Sequence, residues 1–407
     1  MQNPNTLYDS IDPVNENEFI VTWDTGKRCN FDCAYCGSDR HDNFSPFPPF
    51  EELIKGVDFL KEYLRVMLPR RATPTAAISL TGGEPTANPA FMQFSEYLKE
   101  HFDDFEFQVK TTLTTNGSYP AKNIPRIAEL FHSVTLSYHC DSDEKIKAKV
   151  RDNVIATHKA MKSFRVNLMM HPYDQYWQEC LDFIEVMRAE GVKFVPRVIN
   201  GLQYSPEQSQ WLKDYWEQGN KGASKTKIQV TDKPQKGVMS MATEEVFPGR
   251  HMKKDVAKVF KTVKGDKSKH TTITGRHCCN KVDLNCELKS SNERETIQYL
   301  GDTHFKDWYC GVNWFFLHLE SQTDSIFHHQ TCQAQYGQGR GPIGKISEWE
   351  KLVDQVRGYV DTGSMPTIKC PNRKCGCGLC ATKSSSFVKF AGLIDRHAKG
   401  IKYRYDG

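Results

Sequence analysis

The sequence predicts an α/β chain: a partial (β/α)6 barrel of the TIM type, followed by a small cysteine-rich α+β domain. Three observations predict it. Short β-rich runs alternate with amphipathic stretches from Phe19 to about Asn200, the pattern of βα units around a parallel sheet. Six such units occur, too few to close an eight-unit barrel and enough for an open one. Nine of the fourteen cysteines then fall between 278 and 380, which sets that stretch apart from the barrel.

The strands expected in order are Phe19 to Asp24, Ala76 to Thr81, Phe105 to Leu113, Ser133 to His139, Phe164 to Met170 and Val192 to Ile199. Between the first two lies FEELIKGVDFLKEYLRVML, whose Leu53, Val57, Leu60 and Leu64 share one helical face. The sequence thus divides into an N-terminal extension (1–18), the barrel (19–200), a basic linker or insert (201–275), the cysteine-rich domain (276–385) and a C-terminal tail or helix (386–407). Lys221 to His270 holds 13 Lys+Arg against 5 Asp+Glu. It reads as a solvated Lys-rich segment with a short helix near His251 to Val263, or as a docking surface for an acidic substrate or partner. No internal repeat beyond the βα alternation and no low-complexity tract is present.

A chain with 38% apolar and 26% charged residues is a folded one, and collagen-like, disordered and disulfide-stapled classes are excluded. The net charge of +4 is too balanced to imply nucleic acid or membrane as a partner. The polar, acidic start MQNPNTLYDSIDPVNENEF carries no export signal, and no apolar run is long enough to span a bilayer. A cytoplasmic protein is expected, where thiols stay reduced and clustered cysteines bind metal more often than they pair.

The first strand runs straight into TGKRCNFDCAYCGSD, which puts Cys29, Cys33 and Cys36 on the first βα loop with C-x3-C-x2-C spacing. Three thiolates on one loop can wrap a corner of an iron–sulfur cube and leave the fourth iron open to a small molecule. A zinc site with a distant fourth ligand is the structural alternative. The motif CNFDCAYC resembles the signature of the radical S-adenosylmethionine (radical SAM) superfamily, in which the residue before the third cysteine is usually aromatic, as Tyr35 is. Gly82-Gly83-Glu84-Pro85, directly after the second strand, resembles the superfamily's GGE motif. Alone it would be a turn at a strand end. One βα unit after the cysteines, at the same end of the same sheet, it strengthens the resemblance.

The resemblance implies a [4Fe–4S] cluster on Cys29, Cys33 and Cys36, with S-adenosylmethionine chelated on the open iron and its amino group held by the GGE turn. One injected electron then yields a 5′-deoxyadenosyl radical that takes hydrogen from substrate, while the protein orients the reactants and excludes water and oxygen. It also implies a reductant such as flavodoxin or ferredoxin. Other cofactor-binding positions carried over are Asn116 in the Thr115-Asn116-Gly117 turn, Ser137 on the fourth strand with His139 on the same face, Asn167 on the fifth with Met169 and His171, and Arg197 closing the sixth. Cys140, just past the fourth strand, is a candidate hydrogen-atom donor or a buried thiol.

The segment WYCGVNWFFLHLESQTDSIFHHQTC reads as a hairpin with a cysteine before it and one after it, turning at Ser321 to Ser325. It resembles the entrance to the SPASM and twitch auxiliary-cluster domains of many radical SAM enzymes. By that resemblance Cys310, Cys332, Cys377 and Cys380 form the best single auxiliary cluster. Cys278, Cys279, Cys286, Cys370 and Cys375 remain, one more than a second cluster needs. The knot KCPNRKCGCGLC is more compressed than the SPASM pattern, so one or two auxiliary clusters, or a zinc ribbon at the knot, stay open.

Auxiliary clusters of this kind imply either modification of a ribosomally made peptide or oxidation or rearrangement of a sugar-like or aminocyclitol molecule. Nucleic-acid modification rests only on the basic insert, and an inactive iron–sulfur scaffold is the non-enzymatic alternative.

Overall fold

The computed structural model describes residues 10–12, 18–33, 35–36, 41–199, 202–219, 272–274, 305–328, 341–370 and 381–403. The expected helix near 251–263 and Cys278, Cys279, Cys286, Cys332, Cys375, Cys377 and Cys380 lie outside these residues.

In chain order the first elements are β1 (Ser10–Asp12), β2 (Glu18–Asp24), α1 (Phe50–Met67), β3 (Thr75–Thr81), α2 (Phe91–Asp103), β4 (Gln108–Thr115) and α3 (Ile124–Leu130). β5 (Ser133–His139), α4 (Glu144–Ala160), β6 (Phe164–Met170), α5 (Asp174–Ala189), β7 (Phe194–Val198) and α6 (Pro206–Gly219) complete the alternation. Then follow β8 (Thr272–Thr274), β9 (Tyr309–Cys310), α7 (Val312–Phe315), β10 (Phe316–Glu320) and β11 (Ser325–Phe327). The last are α8 (Trp349–Asp361), β12 (Ser364–Met365), β13 (Ile368–Lys369), β14 (Lys383–Ser384), α9 (Phe387–Ile394) and β15 (Lys402–Tyr403).

The main sheet has eight strands in the order β11-β10-β2-β3-β4-β5-β6-β7. Strands β2 to β7 run parallel, as six βα units require. All six expected strands are present; the third begins at Gln108 rather than Phe105, because Phe105 is spent packing edge-on against Phe102 at the end of α2. Burial alternates with period two along β2 to β6, while β7 buries only its central Pro196. Phe19, Val21, Trp23, Ile78, Leu80, Val134, Leu136, Val166 and Leu168 are buried toward the helices, whereas Thr22, Ser79, Thr112, Thr135, Ser137 and Asn167 stand half-buried on the inner face. The expected stripe Leu53, Val57, Leu60 and Leu64 is buried on α1, and a Cβ at Gly56 would overlap the Trp23 ring.

The sequence sets the 315–327 hairpin in a separate domain, and here the structure differs. β10 pairs in parallel with β2 from Phe316↔Ile20 to Glu320↔Asp24 and antiparallel with β11, so the hairpin forms the edge of the barrel sheet. Trp23 Nε1 donates to Ser321 Oγ at 2.8 Å across the join. The buried Arg71 guanidinium donates to the Trp314 carbonyl and lies over the Phe19, Trp314 and Phe315 rings. Asp324 turns the hairpin at φ 51°, a left-handed position that a short polar side chain tolerates.

A second sheet has the order β13-β9-β14-β1-β8. It draws its fourth strand from what the sequence reads as an N-terminal extension: Ser10 pairs with Ser384 and Thr272. The stretch from 201 likewise opens with the helix α6 rather than a linker. Trp211 and Tyr215 stack along it, and Tyr215 packs on Phe194 of β7. No helix among the described residues is long and apolar enough to cross a membrane.

Candidate functional site

The parallel ladder between β2 and β3 continues past both strand ends. Thr25 N donates to Thr81 O at 2.9 Å, Gly83 N to Gly26 O at 2.8 Å and Glu84 N to Arg28 O at 3.0 Å. The two glycines make this approach possible. Gly82 has φ +126°, and a Cβ there would lie 2.4 Å from Gly26 O; a Cβ at Gly83 would lie 2.2 Å from Lys27 O and 2.4 Å from Arg28 O. The cysteine loop is held from its other side by Asp42, whose carbonyl accepts Cys29 N at 2.6 Å and whose N–H donates to Lys27 O at 3.0 Å. The GGE turn and the cysteine loop are therefore one backbone unit at the C-terminal end of the sheet.

On that loop Cys29 is half-buried, Cys33 buried and Cys36 exposed. Cys36 N donates to Cys33 O at 3.0 Å, closing a tight turn, and Phe31 N reaches Cys29 Sγ at 3.4 Å. Burial pushes the Cys29 thiol up to about 11, with Glu84 and Cys36 adding to it against the Phe31 N–H. Burial, and after it the charge of Asp141, pushes Cys33 up to about 12.

Glu84 is 3% exposed. Its carboxylate accepts Asn116 N at 2.6 Å, Thr115 Oγ1 at 2.7 Å, Thr86 N at 3.0 Å and the Thr86 hydroxyl. Burial raises its affinity for a proton, and these four donors work against that rise. Pro85 opens the short 3₁₀ turn that follows, for which Glu84 is the N-cap. The Asn116 side chain donates to Asn30 Oδ1 at 2.9 Å and approaches Cys29 Sγ at 3.9 Å, while Asn30 donates to Ser118 Oγ at 2.8 Å. Three successive βα loops are thus tied to each other.

Tyr35 lies against the next strand: its hydroxyl is 2.7 Å from His139 Nδ1 and donates to Asp141 Oδ1 at 3.1 Å. His139 Nδ1 is also 3.5 Å from Cys33 Sγ. Its ring lies parallel to that of Tyr35 and edge-on to Phe31, and burial lowers its pKa to about 4, so the imidazole is neutral. Farther along, Ser137 and Asn167 are in register on β5 and β6, and Arg197 Nε donates to Asn167 Oδ1 at 3.3 Å. Four positions expected from the sequence (Tyr35, Ser137, Asn167 and Arg197) therefore share the inner face or its rim.

Cys140 does not join them. The alternation that turns Ser137 and His139 inward turns Cys140 toward the helices, where it is fully buried; its thiol and that of Cys180 on α5 both point at Met169 O, at 3.7 and 3.6 Å. A hydrogen-atom donor needs access to the inner face, so Cys140 is a buried core thiol. Sequence reading missed Asp141, Asn30 and Thr86. Only Asp141 left a signal, standing two residues beyond His139 and so on the same side.

Residues 23–206 match the family model of the Radical SAM superfamily. This stretch is a radical SAM domain. Such a domain implies a [4Fe–4S] cluster and S-adenosylmethionine, and the donor set fits: three thiols on one loop, in a setting that disfavours free thiolates and is complemented by cationic iron. No curated protein matches the chain. Among solved structures, native anSMEcpe with bound AdoMet is 15% identical over 82% of this chain and 80% of that one, at a TM-score of 0.45. The same protein with AdoMet and the Cp18Cys peptide is 15% identical over 82% and 79%, at 0.41. The alignment with its hexahistidine-tagged form spans 59% of that chain and 49% of this one, at 18% identity and a TM-score of 0.36.

Proposed function

We propose that the chain is a radical SAM enzyme that reductively cleaves S-adenosylmethionine and abstracts hydrogen from a substrate. The observation that carries this reading is the backbone clamp between the Cys29–Cys36 loop and the Gly82–Glu84 turn. When bound, the cluster and S-adenosylmethionine supply the 5′-deoxyadenosyl radical. The chain supplies the rest. Cys29, Cys33 and Cys36 hold the cluster, leaving one iron for the cofactor. The Gly82–Glu84 turn receives the methionyl ammonium, with Glu84 providing negative charge, and Ser137, Asn167 and Arg197 take the polar groups of the nucleoside and substrate.

The substrate we assign is a peptide, on the likeness of the C-terminal cysteines to an auxiliary-cluster domain. Cys310 and Cys370 support that domain. Cys310 pairs with Ile368, and Cys370, two residues on, exchanges backbone bonds with Asp307 and Trp308, so both buried thiols lie on one face of the ladder. This placement supports counting Cys370 as a further candidate ligand beside Cys310, Cys332, Cys377 and Cys380. On the other flank Lys383 stands opposite Cys310 with its ammonium buried over the Phe305 ring, a positive charge suited to an anionic cluster. A second reading, oxidation of a sugar-like molecule, is favoured by the hydroxyl-lined inner face of Thr22, Ser79, Thr112, Thr135 and Ser137.

Anaerobic, reconstituted protein given dithionite and S-adenosylmethionine should release 5′-deoxyadenosine. Its absence from iron-loaded protein would reject the enzyme reading. Deuterium transfer into 5′-deoxyadenosine from a labelled peptide, or from a labelled polyol, decides between the substrates.

A further inference from the structure

We infer that His139, positioned by Tyr35 and Asp141, donates a hydrogen bond to the Cys33 sulfur and thereby sets the reduction potential of the cluster held on the Cys29–Cys36 loop. The inference rests on the reading of that loop as cluster ligands. It follows from proton accounting at one hydroxyl.

Tyr35 has a single O–H, which faces two acceptors other than His139: Asp141 Oδ1, 3.1 Å away, and the Cys33 sulfur. The 2.7 Å contact between the Tyr35 oxygen and His139 Nδ1 would set two lone pairs against each other unless Nδ1 carries the imidazole proton. The network therefore fixes the tautomer as Nδ1–H. That same N–H faces Cys33 Sγ at 3.5 Å, so one donor is shared between a phenol oxygen and a sulfur. Asp141 acts two bonds away, by keeping the Tyr35 proton turned from His139. The parallel Tyr35 ring and the edge-on Phe31 ring hold the imidazole in this plane.

An N–H directed at a ligating sulfur draws electron density from it, which favours the more negative, reduced state; hydrogen bonds to sulfur are among the main settings of cluster potential. The step concerned is a one-electron transfer. The oxidised cluster takes one electron from a low-potential donor, dithionite in the experiment below, and no covalent bond forms or breaks. Removing the His139 donor should therefore lower the potential, and a side chain that keeps an N–H there should restore part of it.

The experiment is an EPR-monitored redox titration of reconstituted protein. The catalytic cluster is identified as the signal that shifts when S-adenosylmethionine is added to a parallel sample. His139→Phe should lower the midpoint potential by about tenfold in the reduction equilibrium, which is about 59 mV for one electron. His139→Gln keeps an N–H donor and should recover part of that shift. Equal potentials in wild type and in both iron-loaded variants would overturn the inference. Should His139→Phe not retain iron, His139→Leu, smaller and also without an N–H, decides it by the same downward shift. Failure of the underlying reading has a different signature: wild-type protein would then show no signal that responds to S-adenosylmethionine.

Discussion

Glu84 Oε2 accepts the backbone N–H of Asn116 at 2.6 Å, joining the turn after β3 to the turn after β4. With Thr115 and Thr86 on its other oxygen, the carboxylate is the knot between two βα loops before any ligand arrives. A residue carried over for a cofactor contact therefore also holds the site's walls together, and the two duties are separable by experiment.

Glu84→Gln sets an amide NH2 against a cluster of donors. The cofactor-free protein should lose about 1–3 kcal/mol of stability, the cost of a buried group left unmatched. Affinity for S-adenosylmethionine should fall as well, by about 10- to 150-fold for one charge-assisted bond. Urea unfolding without cofactor, beside calorimetry with it, reads the two effects; unchanged stability would show that the Asn116 and Thr115 contacts carry no weight.

Gly83→Ala drives a methyl group into the carbonyls of Lys27 and Arg28. Backbone atoms, unlike the tip of a flexible side chain, cannot step aside cheaply. The variant should be destabilised by about 1–3 kcal/mol and should hold less iron, because the loop it displaces carries all three cysteines. A variant with full iron content and an unshifted melting temperature would refute the clamp.

Replacing Cys29, Cys33 and Cys36 together by Ala should remove about four irons per chain and abolish release of 5′-deoxyadenosine. Near-native circular dichroism is expected to survive, since the bonds that clamp the loop, Gly83 N to Gly26 O, Glu84 N to Arg28 O and Cys29 N to Asp42 O, do not use the thiols. Retained cofactor cleavage would exclude this loop as the cluster site.

In the cluster-free protein, thiols held up at about 11 (Cys29) and about 12 (Cys33) are almost wholly protonated near neutrality. Only thiolate reacts with an alkylating agent. Labelling of these two cysteines should therefore keep rising by about tenfold per pH unit through pH 9 to 10, whereas the urea-unfolded chain should level off near the ordinary thiol value of about 8.5. Peptide mass spectrometry across pH distinguishes the curves, and a plateau near pH 8.5 in the folded protein would contradict the burial argument.

Local periodicity made the barrel legible. All six parallel strands were readable as short β-rich runs, β2 to β6 also by their alternation between a helix-facing and an inner side, and the C-x3-C-x2-C and GGE motifs announce themselves by spacing. The same alternation, applied strictly, already turns Cys140 away from His139. Helix α6, which the sequence reading leaves inside a linker, carries a local signal of its own: Ser205 and Gln208 form a reciprocal capping box, at 3.0 and 3.2 Å, ahead of Trp211, Leu212 and Tyr215. What no local pattern carries is partnership over distance. Nothing in FFLHLE says that it lies beside FIVTWD, and nothing in the first eighteen residues says that Ser10 lies between Thr272 and Ser384. Asn30 and Thr86 are equally silent, because any loop can carry them.

The place of β10 beside β2 has a consequence for how the molecule is made. Trp23 and Ser321, which meet at that seam, are 298 residues apart. At a synthesis rate of roughly 5–20 residues per second, the first barrel strand waits about 15–60 s on the ribosome with one edge unpaired. Open strand edges recruit neighbours, so in a polysome the nascent chains themselves are the nearest competitors for that edge. A chaperone that covers it, or slow codons that let β3 to β7 settle first, would act on yield without touching the finished protein's stability. A fragment ending at residue 206, although it spans the whole radical SAM family match, would carry the same open edge permanently and should be far less soluble than the full chain.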